Sequence, residues 1–131
     1  MGSQAKKANQ AASVTHVISK LHAQFGERLS EAPAVRERFG KDESFLASIP
    51  PDAVVTPHTT EEVSQIVVLC AEHRVPVIPY GTGTALEGHV AALQGGISIN
   101  LQEMNQVIEL HADDLDVVVQ PGVTRKQLNR H

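Results

Sequence analysis

Apolar positions recur along this chain in several rhythms, and each rhythm predicts a kind of element. Val14, Val17, Ile18, Leu21 and Phe25 stand three and four apart, the spacing of one face of an α-helix. Ser13 is placed to cap the start of that helix and Gly26 its end. The residues before it, Met1 to Ala12, read as a flexible tail. A second short helix is expected over Ala34 to Phe39, after Pro33 and before Gly40. Lys41-Asp42-Glu43-Ser44 and Pro50-Pro51-Asp52 then make a polar, Pro-rich passage. It divides a tail and helical arm, residues 1–50, from a second unit, residues 51–131.

The second unit opens with a β-α-β pattern. Ala53-Val54-Val55 is a short apolar run stopped by Pro57. Thr59 and Glu62 stand three apart and form a capping box. The helix it opens is expected to bury Val63, Ile66, Val67, Leu69 and Cys70 and to end near Arg74. Val75-Pro76-Val77-Ile78 reads as the next strand, a buried one. A meander of strands is expected after it. Ile97-Ser98-Ile99-Asn100 alternates like a half-buried strand, and Val107 to His111 and Asp116 to Gln120 read as its partners. Gly95-Gly96 and Asp113-Asp114 are turns, and Pro121-Gly122 ends the last strand. Thr124 and Gln127 look like a second capping box. The sequence stops at His131, about two turns into that helix, and so reads as a piece of a longer protein.

Between these strands lies Pro79-Tyr80-Gly81-Thr82-Gly83-Thr84-Ala85-Leu86-Glu87-Gly88-His89. Its glycines allow positive φ and a close approach of backbone to ligand. Successive N–H groups in such a loop can converge on an anion. Loops at the ends of strands in layered folds are where ligands collect. From Val75 to Val123 there is no Lys or Arg, so a phosphate here would be held by backbone and hydroxyl dipoles. The nucleoside-triphosphate loop G-x-x-x-x-G-K-[ST] is excluded, because His89 and Val90 follow Gly88 where Lys and a hydroxyl are needed. The G-x-G-x-x-G fingerprint is broken by Leu86 in the third glycine position. The segment is either a pyrophosphate loop of a third kind or a tight Gly-rich connection without a ligand.

Composition removes several function classes. The chain has 131 residues, about one domain. Its formal net charge of −4 and its 3% aromatic content supply neither a basic stripe nor stacking platforms for nucleic acid. No apolar run reaches the length of a membrane span. The N-terminus carries neither a secretory signal nor a good mitochondrial transit peptide. The single cysteine, Cys70, rules out an internal disulfide and reads as a buried hydrophobe. That fits a reducing, intracellular compartment. His16, His22, His58, His73 and His111 lack a metal-ligand spacing. Asp113, Asp114 and Asp116 read as a solvated turn, and Glu87 as an acceptor that orders the loop.

Four stretches together resemble a known family. They are Asp42-Glu43-Ser44 with Pro51-Asp52-Ala53-Val54-Val55, then Thr59 to Pro79, then Gly81 to His89, then Asp116 to Thr124. The chain is similar to the N-terminal part of FAD-binding domains of the vanillyl-alcohol oxidase / p-cresol methylhydroxylase (PCMH) type. Within it the resemblance is to the D-lactate dehydrogenase and glycolate oxidase FAD-linked subunit branch. The resemblance implies an α+β fold: an N-terminal helical arm, then the first α+β subdomain of a PCMH-type FAD-binding domain, truncated. It implies FAD as cofactor, with the pyrophosphate on Tyr80, Gly81, Thr82, Gly83, Thr84 and Ala85. Gly88 and His89 would line the flavin side, and Pro121, Gly122 and Val123 the second wall. His89 is read equally as a structural residue closing the loop. Ala85 departs from the Gly or Ser common in relatives. Members oxidise 2-hydroxy acids by hydride transfer to the flavin and pass electrons to a cytochrome, quinone or similar acceptor. Substrate and metal ligands lie in the region C-terminal to His131, so neither a catalytic residue nor a metal ligand is expected in this chain, and no turnover from it alone. The expected location is cytoplasmic or mitochondrial.

Overall fold

The apolar stripe predicted for the first helix is where the core begins. This computed structural model describes residues 2–130. Helix α1, Gly2–Phe25, buries Val14, Val17, Leu21 and Phe25. Two expectations about its start are corrected. Ser13 lies inside the helix and does not cap it, and the stretch expected to be a flexible tail is helical from Gly2. Ala8, Ala11 and Ala12 are strong helix formers, and propagation from a packed stripe costs little once a helix is nucleated. The far end is as expected: Gly26, at φ +55, follows the last helical residue. The chain then forms strand β1, Leu29–Ser30, and helix α2, Pro33–Phe39, with Pro33 in its first turn.

Strand β2, Ala53–Val55, leads into helix α3, Thr60–Glu72. Thr59 accepts the Glu62 N–H at 3.2 Å, the first half of the predicted box. The reciprocal bond falls one residue upstream, where Glu62 accepts the His58 N–H at 2.7 Å. Glu62 also takes a two-pronged bond from Arg28, each prong 2.8 Å long. These bonds bring its carboxyl from the ordinary 4.5 down to about 2. The helix buries Ile66 and Cys70, but Val67 is 42% exposed. It sits one step round the helix from Ile66, outside the arc that α1 and the sheet cover.

Strand β3, Val77–Tyr80, starts two residues later than Val75 and ends two later than Ile78. Val75 is still turning, its N–H bonded to Cys70 O at 2.8 Å. Strand β4, Ile97–Asn100, inserts between β2 and β3, giving a four-stranded sheet in the order β1-β2-β4-β3. The β2, β4 and β3 strands run parallel, and β1 pairs antiparallel on the edge. The expected meander is therefore wrong for this strand. Ile97–Asn100 is not half-buried but covered on both faces, as parallel strands are. Ile97 and Ile99 face the α1 and α3 core. Ser98 is fully buried. It points to the opposite side, where Val54 and Ile78 pack with Phe39, Tyr80 and Val90.

Among the described residues only the last two strands form a hairpin. β5, Val107–His111, pairs antiparallel with β6, Asp116–Val119, across the expected Asp113-Asp114 turn. It stands off the main sheet and leaves Ile108, Leu110 and Val118 about half exposed. A short helix α4, Arg125–Leu128, follows. Thr124 caps it, accepting the Gln127 N–H at 3.1 Å.

Candidate functional site

Strand β3 delivers the glycine segment to the C-terminal edge of the parallel sheet. Its last residue, Tyr80, is buried with its ring 4.4 Å from that of Phe39. The chain leaves the sheet at Gly81 and runs without regular structure to Val90. Gly83 has φ +73, and a Cβ there would overlap the Tyr80 hydroxyl. Both facts demand glycine at this position. The Tyr80 ring therefore packs beneath the loop as a floor, and it also lines a cavity with Thr82 and Gly83.

The loop's hydrogen bonding is one-sided. Gly81 O is taken by the Gln102 side-chain amide at 2.7 Å. Ala85 O is taken by the Glu43 N–H at 3.1 Å. Yet none of the N–H groups from Gly81 to Glu87 donates to any group of the described residues. Fastening carbonyls to neighbours while leaving the amides free is what a backbone anion receptor requires. The Thr82 and Thr84 hydroxyls lie 3.1 Å apart and add donors on the same stretch. Gly81, Thr82, Gly83, Thr84, Ala85 and His89 line a cavity of about 330 Å³ whose inner wall is Val90. Unbonded amides of this kind are open to an external acceptor, and the cavity beside them is where one would be met.

The second predicted wall reaches the same place indirectly. After β4, residues 101–104 turn sharply, with Met104 N–H bonded to Leu101 O at 3.1 Å. Gly122 docks on that turn through its own N–H, 2.7 Å from Met104 O. Leu101, Gln102 and Met104 carbonyls leave no room there for a Cβ. Since Gln102 also holds Gly81, one turn carries both halves of the predicted site. Pro121 is exposed and Val123 half-buried. Neither lines the cavity beside the loop.

Sequence reasoning missed three supporting residues. Gln102 is one. Asp42 and Glu43 are the others: the Glu43 main chain, donating to Ala85 O, fastens the loop in place of the Glu87 carboxylate, and Asp42 orders the segment that carries Glu43. Glu87 is exposed and forms no hydrogen bond among the described residues, so that expectation is corrected. Asp42 is buried and accepts the Ser44 N–H at 3.0 Å. The Ser44 hydroxyl and amide hold its carboxyl below the usual carboxylate range. The Gly88 amide and the charge of His89 add to this, while burial acts the other way. The Asp42-x-Ser44 spacing of an Asx-turn was the available signal. The fold also supplies what the Lys- and Arg-free stretch lacks: Arg38 and Lys41 line a second cavity, of about 680 Å³, on the far flank of Tyr80, Thr82 and Gly83.

Other titratable groups are placed elsewhere. Cys70 is buried, and that burial pushes its thiol up to about 11, so it carries no nucleophilic chemistry. The His16 and His73 rings meet edge-on at 4.8 Å. His111 bridges Glu109 at 3.2 Å and Asp116 at 2.5 Å on the exposed hairpin. Among the described residues no His, Cys, Asp and Glu are grouped to hold a metal ion, and no helix is long and apolar enough to cross a membrane.

A small parallel sheet with a glycine loop of unbonded amides at its C-terminal edge sets the architecture: an α+β unit with its open loop where ligands of layered folds collect. Residues 51–131 match the FAD binding domain family, and the chain belongs to that family. It is 48% identical over 131 residues to a probable mitochondrial D-lactate dehydrogenase of Danio rerio, covering 99% of this chain and 26% of that protein. It is 38% identical over 97 residues to glycolate oxidase subunit GlcD of Bacillus subtilis, covering 74% of this chain and 21% of that protein. The fold is similar to that of p-cresol methylhydroxylase in a substrate-bound crystal structure. The TM-score is 0.74 at 22% identity, over 91% of this chain and 24% of that one. The chain thus spans about a quarter of the length of the curated relatives it matches. The expected fold class, the family resemblance and FAD as the cofactor all hold.

Proposed function

We propose that this chain is the N-terminal FAD-binding part of a flavin-dependent 2-hydroxy-acid dehydrogenase of the D-lactate type. In this reading residues 51–131 are the first subdomain of a PCMH-type FAD-binding domain, and residues 1–50 an arm laid against it. The amides of Gly81, Thr82, Gly83, Thr84 and Ala85 hold the pyrophosphate over the Tyr80 floor. Gly88 and His89 line the flavin side, and Pro121, Gly122 and Val123 form the second wall. The observation that carries this is the run of unspent N–H groups from Gly81 to Glu87, beside carbonyls tied to Gln102 and Glu43.

A hydrogen bond to a charged group is worth about 1.5–3 kcal/mol. Three or four amides on one pyrophosphate therefore give useful affinity after the cost of ordering the loop. Ala85 keeps its N–H and loses only a hydroxyl that a Ser would add. When bound, the flavin supplies the hydride-accepting chemistry. This chain's residues bind and orient it. The hydroxy acid and the electron acceptor are then met by residues C-terminal to His131. The names of the relatives support the substrate class, and those of the two D-lactate dehydrogenases of Danio rerio and Arabidopsis thaliana a mitochondrial location.

The test is a chimera in which this chain replaces the matching quarter of the Danio rerio relative. The chimera is expected to purify with FAD, and the same chimera with Gly83→Val without it. Equal FAD content in the two would overturn the assignment of the loop.

A further inference from the structure

The segment Lys41 to Leu46 clasps the glycine loop at three places. The Tyr80 hydroxyl donates to Lys41 O at 3.4 Å. The Glu43 N–H donates to Ala85 O at 3.1 Å. The Leu46 side chain occupies the space where a Cβ on Gly88 would fall. Asp42 sits inside this clasp, only 7% exposed. One of its carboxylate oxygens, Oδ1, accepts the Ser44 N–H. The other, Oδ2, is shut off from solvent and has no hydrogen-bond partner.

An unsatisfied carboxylate oxygen inside a protein is costly and calls for a reason. Gly88 lies against the same clasp: a Cβ there would overlap Leu46 and stand 3.7 Å from the Ser44 hydroxyl, and the Ser44 hydroxyl, the Gly88 amide and His89 all act on the Asp42 carboxyl. Gly88 has φ +73 and directly precedes His89, a residue lining the loop cavity. A small inward movement of that turn would give Oδ2 its missing partner. The same movement would set the far end of the loop.

We propose that Asp42 is the positioning residue of the glycine loop: its buried carboxylate draws in the Gly88 amide, fixes the Gly88–His89 turn, and so sets the shape in which the Gly81 to Glu87 amides meet a pyrophosphate. The identity of the ligand rests on the FAD reading; the contact does not.

The discriminating variant is Asp42→Asn. It keeps the size of the side chain and the acceptor for Ser44, but turns Oδ2 into a donor facing a donor. Backbone ¹⁵N relaxation on the full chain reads the loop directly. The wild-type loop, residues 81–90, is expected near the rigid order parameter of about 0.85, and the variant's below about 0.6, with α1 and β2 unchanged. In the chimera the FAD dissociation constant is expected to rise about tenfold, the loss of one charge-assisted bond. Equal order parameters in the two chains would overturn the proposal. So would loosening spread evenly over the chain, since Asp42 would then be a general element of the fold. An unchanged FAD constant beside a loosened loop would overturn the link to binding. If the wild-type chimera takes up no FAD while Asp42→Asn still loosens 81–90, the cofactor reading fails and the positioning of the loop stands.

Discussion

Gly83 and Tyr80 should be energetically coupled, because the floor of the loop and its tightest turn occupy the same space. Gly83→Ala forces a side chain into φ +73 and into the Tyr80 hydroxyl. The positive φ costs about 1–2 kcal/mol. The overlap adds about 1–3 kcal/mol if the core holds still. That hydroxyl is loosely held, its two carbonyl contacts both at 3.4 Å, so Tyr80→Phe by itself should cost less than about 1 kcal/mol. In the double variant the strained φ remains, but the tightest overlap, the one with the hydroxyl, is gone and only the milder one with the ring carbon Cζ is left. The double variant should therefore be more stable than the two single changes predict by about 1 kcal/mol or more, a favourable coupling. Urea unfolding followed by far-ultraviolet circular dichroism measures all four chains, since the sequence has no Trp to serve as a fluorescence probe. Additivity within about 0.3 kcal/mol would refute the close packing of the loop onto its floor.

Two further predictions concern the scaffold. Ser98 has a fully buried hydroxyl without a partner in an apolar layer. Ser98→Ala should leave stability unchanged or raise it by up to about 1 kcal/mol, and a loss of more than that in urea unfolding would mean the hydroxyl is bonded after all. Glu62 has a folded-state value of about 2 against an ordinary 4.5, so its contribution is complete above 4.5 and is lost as pH falls toward 2. The pair is partly exposed, and its worth is about 1 kcal/mol. The stability gap between wild type and Arg28→Met should be widest above pH 4.5 and close toward pH 2; a gap that does not change with pH would contradict this.

Local signals in the sequence specified local structure well. Thr59 and Thr124 each cap the helix expected of them, because a cap involves only the next three residues. Pro33 and Gly40 bracket α2 for the same reason. The errors are non-local. Ser13 is a sound cap by composition, but the alanines before it carry α1 back to Gly2. Ile97–Asn100 alternates like an edge strand, and nothing within those four residues says that two parallel neighbours bury both faces. Val67 fits the apolar period of α3 as well as Ile66 does; which arc is covered depends on where α1 crosses. The glycine loop was legible as a feature of composition. Its supports were not, because Gln102 reaches Gly81 across 21 positions and Glu43 reaches Ala85 from the other side of α3.

In the proposed function, free main-chain amides after β3 receive a pyrophosphate. An amide-resolved titration of the ¹⁵N-labelled chain with FAD tests it most directly. The largest shifts are expected on Gly81 through Ala85, and Gly83→Val should abolish them. Shifts confined to other surfaces, with these amides unmoved at saturating FAD, would contradict it.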